Sequence, residues 1–265
     1  MSERQVQSEI GTAVEELKSA SIFLTRVPAR LLGMSPAAVP DFRHAARVFP
    51  AVGALVGLAG GIVLVIAAAL GIPPMVAAAL AIATTVLVTG GLHEDGLADT
   101  ADSFGGATTE KKLEIMDDSR VGTYGAVALV FSILIRVAAL GAIATVGPFH
   151  AAFALIAAEA VSRAALVRLW HDLPAARMGG LSNDAGAPDQ NAMLVGLAVA
   201  AAIAVIFGLP AVGLWATILA GALAALATYT MIRVTARALG GRTGDTLGAC
   251  QQVVVVAFLV GASAL

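Results

Sequence analysis

"GGLHEDGLADTADSFGG", residues 90–106, follows an apolar run, Met75–Val88, that carries no charge. Four carboxylates, Glu94, Asp95, Asp99 and Asp102, then fall within nine residues. An apolar segment that ends this way reads as a membrane helix continuing into an acidic helical loop in water. The spacing D-x3-D-x2-D places Asp95, Asp99 and Asp102 within a narrow arc of one helical face. Carboxylates gathered on one face repel each other, and a divalent cation removes that repulsion. Mg²⁺ takes oxygen ligands and commonly completes its shell with water or phosphate oxygens. The pattern therefore points to a metal site shared with a phosphorylated substrate, against the plainer reading of a solvated acidic helix end. Glu94 lies off this face and is expected to be solvated.

The rest of the chain agrees with a membrane setting. Of 265 residues, 58% are hydrophobic and 13% charged, against about 25% charged in a soluble domain. Alanine and glycine are abundant and aromatics are few, a composition that lets transmembrane helices approach closely. A formal net charge of −2 gives no overall pull toward nucleic acid. Cys250 is the only cysteine, so no intrachain disulfide can form. The length suits a single membrane domain, 1–265, with 1–48 as its N-terminal segment on the cytoplasmic side or at the interface. Residues 1–18 are polar and of mixed charge, without the apolar core of a signal peptide.

Seven apolar runs approach the roughly 20 residues that span ~30 Å of hydrocarbon: about 49–70, 73–92, 125–147, 149–169, 192–209, 211–232 and 246–265. The expected fold is all-α and polytopic. Only "GLPAVG", 208–213, separates the fifth run from the sixth, and Pro210 argues for a helical hairpin there. Ile10, Val14, Leu17 and Leu24 share one face of an N-terminal amphipathic helix. That face is expected either on the membrane surface or packed on the domain.

The connections then sort by charge. "GIPP" at 71–74, "GPF" at 147–149 and "GLPAVG" carry none. The other set carries Lys111, Lys112, Arg120, Arg168, Arg177, Arg233, Arg237 and Arg242. Positive residues beside span ends favour the cytoplasm, so the polar loops are expected to face it. Arg136, Glu159 and Arg163 remain inside spans. A lone charge at mid-bilayer costs at least ~2.5–3.5 kcal/mol, which predicts an Arg136–Glu159 pair at shared depth. Arg163 either joins a structural ion pair or faces the floor of an anionic cavity.

Two more polar loops belong to the charged set. "MDDSRVGTYG", 116–125, holds Asp117, Asp118 and Arg120 before a glycine-flanked turn. "GGRTGD", 240–245, holds three glycines, Arg242 and Asp245 before the last span. Glycine-rich backbone and helix N-termini bind phosphate through N–H groups. Arg120 and Arg242 can grip phosphate oxygens in a bidentate fork. Metal, arginine and glycine loop together are the equipment of phosphoryl transfer. His93 precedes the cluster and reads either as a proton acceptor or as an interfacial histidine.

"FLTRVP" at 23–28, "FPAVGALVG" at 49–57, the 90–106 block, "LEIMDDSRVGTYG" at 113–125 and "GGRTGDTLGA" at 240–249 together resemble the cobalamin synthase family, the adenosylcobinamide-GDP ribazoletransferases. The resemblance extends over most of the chain. It implies a multi-pass enzyme of the prokaryotic inner membrane, dependent on Mg²⁺ and facing the cytoplasm. Such an enzyme joins adenosylcobinamide-GDP to α-ribazole or its 5′-phosphate and releases GMP. Carried onto this sequence, the metal ligands are Asp95, Asp99, Asp102, Asp118 and Asp245. Arg120, Gly122 and Thr123 of one loop, with Gly241, Arg242, Thr243 and Gly244 of the other, bind substrate. His93 or a cluster aspartate such as Asp102 is the base, and Arg120 clamps phosphate. Monomer and homo-oligomer both stay open. The chain departs from the family's pattern at Glu94, where an apolar residue is usual. It departs again at Gln251 and Gln252, near a customary glutamate.

Other chemistries fit less well. "DGLADT" lacks the arginine of a CDP-alcohol phosphotransferase motif, D-G-x2-A-R. An intramembrane prenyltransferase would carry two aspartate motifs on helices, where this chain has one full cluster. A cation transporter would bring acidic residues to mid-bilayer on broken helices.

Overall fold

The computed structural model describes residues 3–34, 42–177 and 186–264. Of the described residues 84% are helical, and among them the one β contact is an isolated bridge between Ala175 and Arg242. Helix α1 spans Glu3–Leu24, and short turns at Ala29–Leu32, Phe42–Ala45 and Ala46–Val48 lead into α2, Phe49–Ala69. Then come α3 (Pro74–Thr89), α4 (Leu92–Ser103) and α5 (Thr109–Met116). They are followed by α6 (Thr123–Val146) and α7 (Pro148–Asp172). Helix α8, Gln190–Ile203, runs through a π-helical turn, Ala204–Gly208, into α9, Leu209–Leu239. Helix α10 spans Gly244–Ala262.

Each of the seven expected runs is helical, but they are not equivalent. By length and composition four helical stretches can cross a membrane, or five if α3 and α4 count as one span bent by 90°. Helix α3 has only 16 residues. Helix α7 has 25 residues but carries Glu159 and Arg163. The stretch Gln190–Leu239 has 50 residues, about twice a bilayer crossing. The expected hairpin is present within it, but Pro210 is not the breaker. Pro210 sits in the first turn of α9, where a proline's fixed φ suits a helix start. The chain reverses at Gly213, whose φ of 77° and ψ of 179° are non-helical. Both ends of the stretch lie on one side, since His171 Nδ1 is 2.9 Å from the Pro188 carbonyl and Arg242 N–H donates to Pro174 at 2.8 Å.

The bundle centres on α7, with 17 of its 25 residues buried. Gly53, Gly57 and Gly61 form an i, i+4, i+8 stripe on α2 that meets the α7 backbone. A Cβ at Gly57 would stand 2.7 Å from Ile156 Cα, and one at Gly61 3.0 Å from Ala152 Cβ. Small residues are what permit helix axes to come this close. The second half of α1 also packs on the domain, with Ala20 and Leu24 buried and Glu16 2.7 Å from Arg47. Val14 is exposed, and the side chain of Ile10 lies outside the described residues.

The buried charges pair differently from the expectation. Arg136 Nη1 bonds Glu94 Oε1 at 3.2 Å, and Gln252 Nε2 donates to the same oxygen at 2.9 Å. Glu159 pairs with Arg163 on its own helix. Gln251 Nε2 reaches Ser162 Oγ at 3.0 Å, and Gln252 Nε2 also donates to Gln251 Oε1 at 2.9 Å. The reason is the attitude of α4. It does not project freely into water but lies across the end of the bundle, packed on α6 and α10. The face opposite the aspartates therefore points inward, and Glu94 is buried rather than solvated. Glu159 already has a cation one turn away, which leaves Arg136 for Glu94.

Removing one partner of a buried pair leaves an uncompensated charge and costs about 3–5 kcal/mol. Glu94→Ala and Arg136→Ala should each lower stability in detergent by that order. In double-mutant cycles read by thermal unfolding, the coupling of Arg136 with Glu94 should exceed that of Arg136 with Glu159.

Candidate active site

Two glycines place the acidic helix. Gly90 and Gly91, with φ of 68° and 73°, take the left-handed conformation that glycine adopts without a Cβ penalty, and they turn the chain 90° between α3 and α4. Two others set how α4 meets α10. A Cβ at Gly96 would stand 2.7 Å from the Asp245 carbonyl oxygen, and one at Gly248 3.2 Å from His93 Cα. The two backbones touch, so the first turn of α10 brings Asp245 beside Asp95 and Asp99. The Asp99 carboxyl is pushed up to about 7, first by burial and then by Asp95, Asp245 and Asp102. Arg177 offsets Asp245 in part, while among the described residues Asp99 feels chiefly the other acids.

A cavity of about 280 Å³ opens at this crossing. Asp95 and Asp245 line it together with Arg177 and Arg242. Thr243 and Gly244, at the N-terminus of α10, line it too. Thr243 caps that helix: its Oγ1 accepts from Thr246 N–H at 3.2 Å while its own N–H donates to Thr246 Oγ1 at 2.9 Å. The positive end of the α10 dipole thus faces the cavity, where it favours an anion. His93 forms part of the wall and is buried, and its Nε2 has no hydrogen-bond partner among the described residues. Burial, then Arg163 and Arg136, hold the His93 imidazole well below its usual range.

The 240–245 loop is braced against the segment that follows α7. Arg242 N–H donates to the Pro174 carbonyl at 2.8 Å, its carbonyl accepts from Ala176 N–H at 2.9 Å, and its Nη1 donates to Leu173 O at 2.6 Å. Gly241 is required for this approach, since a Cβ there would lie 2.7 Å from the Pro174 oxygen. The glycine therefore serves this backbone contact. The same bracing delivers Arg177, which pairs with Asp117 at the edge of the cavity. Arg177 is a site residue the sequence marked only as one more loop cation. Its spacing from the acidic block, 75 residues beyond Asp102, carries no local signal.

The 116–125 loop behaves differently from the expectation. Asp102 Oδ2 accepts from Gly122 N–H at 2.7 Å and its Oδ1 from Gly125 N–H at 2.9 Å. The glycine turn is an anion-binding nest, and the chain's own Asp102 occupies it. Thr123 opens α6 directly above that contact. Arg120 turns back on Asp118 in a fork, with Nη2 2.6 Å from Oδ2 and Nε 3.0 Å from Oδ1, and holds the Asp118 carboxyl down to about 2. Both side chains are exposed there, and neither they nor Asp102, Gly122 and Thr123 line the cavity. The five expected metal ligands thus do not stand together. Among the described residues no three His, Cys, Asp or Glu side chains converge to hold an ion unaided. An ion of the Mg²⁺ type needs only one or two carboxylates from the protein and completes its shell with water and phosphate oxygens, so Asp95 and Asp245, which line the cavity together, would be the residues to hold one.

Asp102→Ala should strand the buried Gly125 N–H and lower stability by about 1–3 kcal/mol, the exposed Gly122 N–H turning to water. Asp95→Ala, on the exposed face of the same helix, should change it by less than about 0.5 kcal/mol. Thermal unfolding in detergent checks both.

The comparisons with known proteins point the same way. The family profile described as Cobalamin-5-phosphate synthase matches residues 16–263. The chain is 45% identical to an adenosylcobinamide-GDP ribazoletransferase of Azorhizobium caulinodans, over 98% of this chain and 97% of that protein. It is 44% identical to proteins of the same name from Brucella melitensis and Brucella ovis, over 82% of this chain and 84% of theirs. No solved structure matches it. A family match over nearly the whole length, with the 90–106 and 240–249 blocks meeting at one cavity, places this chain in the Cobalamin-5-phosphate synthase family.

Proposed function

We propose that the protein is a transferase that joins adenosylcobinamide-GDP to α-ribazole or its 5′-phosphate, releasing GMP, at a cavity facing the cytoplasm from the inner membrane of a prokaryote. The names of its relatives support the substrates. The observation that carries the chemistry is the meeting of Asp95, Asp245, Arg177, Arg242 and the α10 N-terminus at one cavity. That set suits a diphosphate: guanidiniums and helix N–H groups for its oxygens, carboxylates for its counter-ion.

In this reading a ribose hydroxyl of the ribazole substrate attacks the phosphorus next to the cobinamide arm. One O–P bond forms as the bond between that phosphorus and the bridging oxygen breaks. Arg177 and Arg242 hold the phosphate oxygens in line. His93, whose Nε2 is unpartnered among the described residues, or an aspartate of the cluster receives the hydroxyl proton. GMP leaves with the bridging oxygen, its charge balanced by the arginines and the dipole of α10. Mg²⁺ bound through Asp95, Asp99 or Asp245 and the substrate would supply further charge neutralisation. The loop arginines and lysines favour the cytoplasmic side for this cavity.

Purified protein in detergent, given adenosylcobinamide-GDP, α-ribazole 5′-phosphate and Mg²⁺, should release GMP in step with formation of the joined product. Asp99→Asn and Asp95→Asn should each reduce the rate at least about 100-fold, with the unfolding midpoint retained. GMP release that persists at full rate after chelation, or in Asp99→Asn, would remove the metal assignment. Absence of GMP from the wild type would remove the reaction.

A further inference from the structure

The polar groups account for only part of the cavity. The remaining wall is hydrocarbon: Phe23, Leu24, Leu92, Leu166 and Leu247. These side chains offer no hydrogen-bond donor or acceptor. Two of them come from the end of α1, so the N-terminal helix contributes directly to the cavity.

This wall is rigid. Leu24, Leu166 and Leu247 are buried in the core. The Phe23 ring lies 4.6 Å from Phe42, 6.0 Å from Phe49 and 6.3 Å from Trp170, centroid to centroid. Those three partners are fully buried. Arg26 N–H donates to the Val88 carbonyl at 2.8 Å, fixing the end of α1 to the end of α3 just before the acidic helix. A preorganised aromatic and aliphatic surface sits within the same enclosure as the diphosphate-binding groups.

Size and chemistry then restrict what can lie on it. The cavity, about 280 Å³ and open on one side, is matched in size by a single fused ring system laid against this wall, being at the low end of pockets that enclose drug-sized ligands, about 300 to 1,000 Å³. The two substrates under the proposed reaction each carry a bicyclic base. Guanine presents a carbonyl, a ring N–H and an amino group on its edge, and none of these five side chains can pair them. The dimethylbenzimidazole of ribazole presents two methyl groups and a single free ring nitrogen. Its flat apolar body suits an offset contact with Phe23.

We propose that Phe23, Leu24, Leu92, Leu166 and Leu247 form the base subsite for the ribazole substrate, selecting nucleosides with a flat, hydrocarbon-rich base. The inference rests on the transferase reading and adds to it which substrate occupies this cavity wall and which residues set its specificity.

The test uses the full chain purified in detergent, with two readouts. Equilibrium dialysis compares α-ribazole 5′-phosphate with the corresponding α-linked adenine nucleotide. Steady-state kinetics give KM for each of the two substrates. The wild type should prefer dimethylbenzimidazole over adenine by at least about tenfold. Phe23→Ala should weaken α-ribazole phosphate binding about tenfold and raise its KM to match. The KM for adenosylcobinamide-GDP should stay within about twofold. Leu92→Gln, at a position 45% exposed and tolerant of change, should narrow the base preference and covers the case in which Phe23→Ala does not fold. An unchanged preference in Leu92→Gln overturns the subsite, as does a rise in both KM values together or in that of the GDP substrate alone. Nucleoside binding with the stated preference but no GMP release keeps the subsite and removes the reaction.

Discussion

The site depends on a backbone contact. Helix α4 rests on the first turn of α10 where Gly96 meets Asp245 and Gly248 meets His93. With side chains at these glycines the helices would stand apart, and Asp245 would leave the company of Asp95 and Asp99. Two features follow from the contact. The acids come together at a cavity edged by Arg177 and Arg242, so carboxylates and guanidiniums share one enclosure. The α10 N-terminus also ends at the same cavity, so a partial positive charge faces the place where a diphosphate would lie.

Beneath that contact lies a buried polar layer. Glu94, Arg136, Glu159, Arg163, Gln251 and Gln252 meet between α4, α6, α7 and α10. Two arginines and two glutamates balance in charge, and the glutamines bridge them. Such groups are tolerable in an apolar bundle only when paired. Glu94 matters for both layers. Its side chain locks the inner face of α4 to α6 through Arg136 while Asp95, next in sequence, faces the cavity. His93 touches both layers, which gives a buried imidazole access to the cavity wall without exposing it to bulk water.

The charged loops divide the work. The 240–245 loop and residues 173–177 form one braced unit that carries Arg242 and Arg177 to the cavity. The 116–125 loop secures α4 to α6 by way of Asp102 and contributes to the cavity edge through Asp117. A glycine turn preceding a helix is an anion site in either case. What differs is whether the anion is a ligand or the chain's own carboxylate.

Much of the architecture was legible in the sequence, because bilayer-length apolar runs and one-sided charge are properties of consecutive residues. The helices around 49–70, 125–147, 149–169 and 246–265, the hairpin near 208–213 and the clustering of the 90–106 and 240–249 blocks needed no coordinates to foresee. Helical periodicity likewise separated Glu94 from the aspartate face. It could not say what lay on the other side of the helix. That Glu94 meets Arg136, that Asp102 caps α6, that Arg177 reaches the cavity and that Phe23 lines it depend on how α4, α10 and α1 cross. Those crossings are set by glycines whose role appears only when two backbones meet. Periodicity fixes which residues share a face, whereas the partner of that face is chosen by packing between segments more than 150 residues apart.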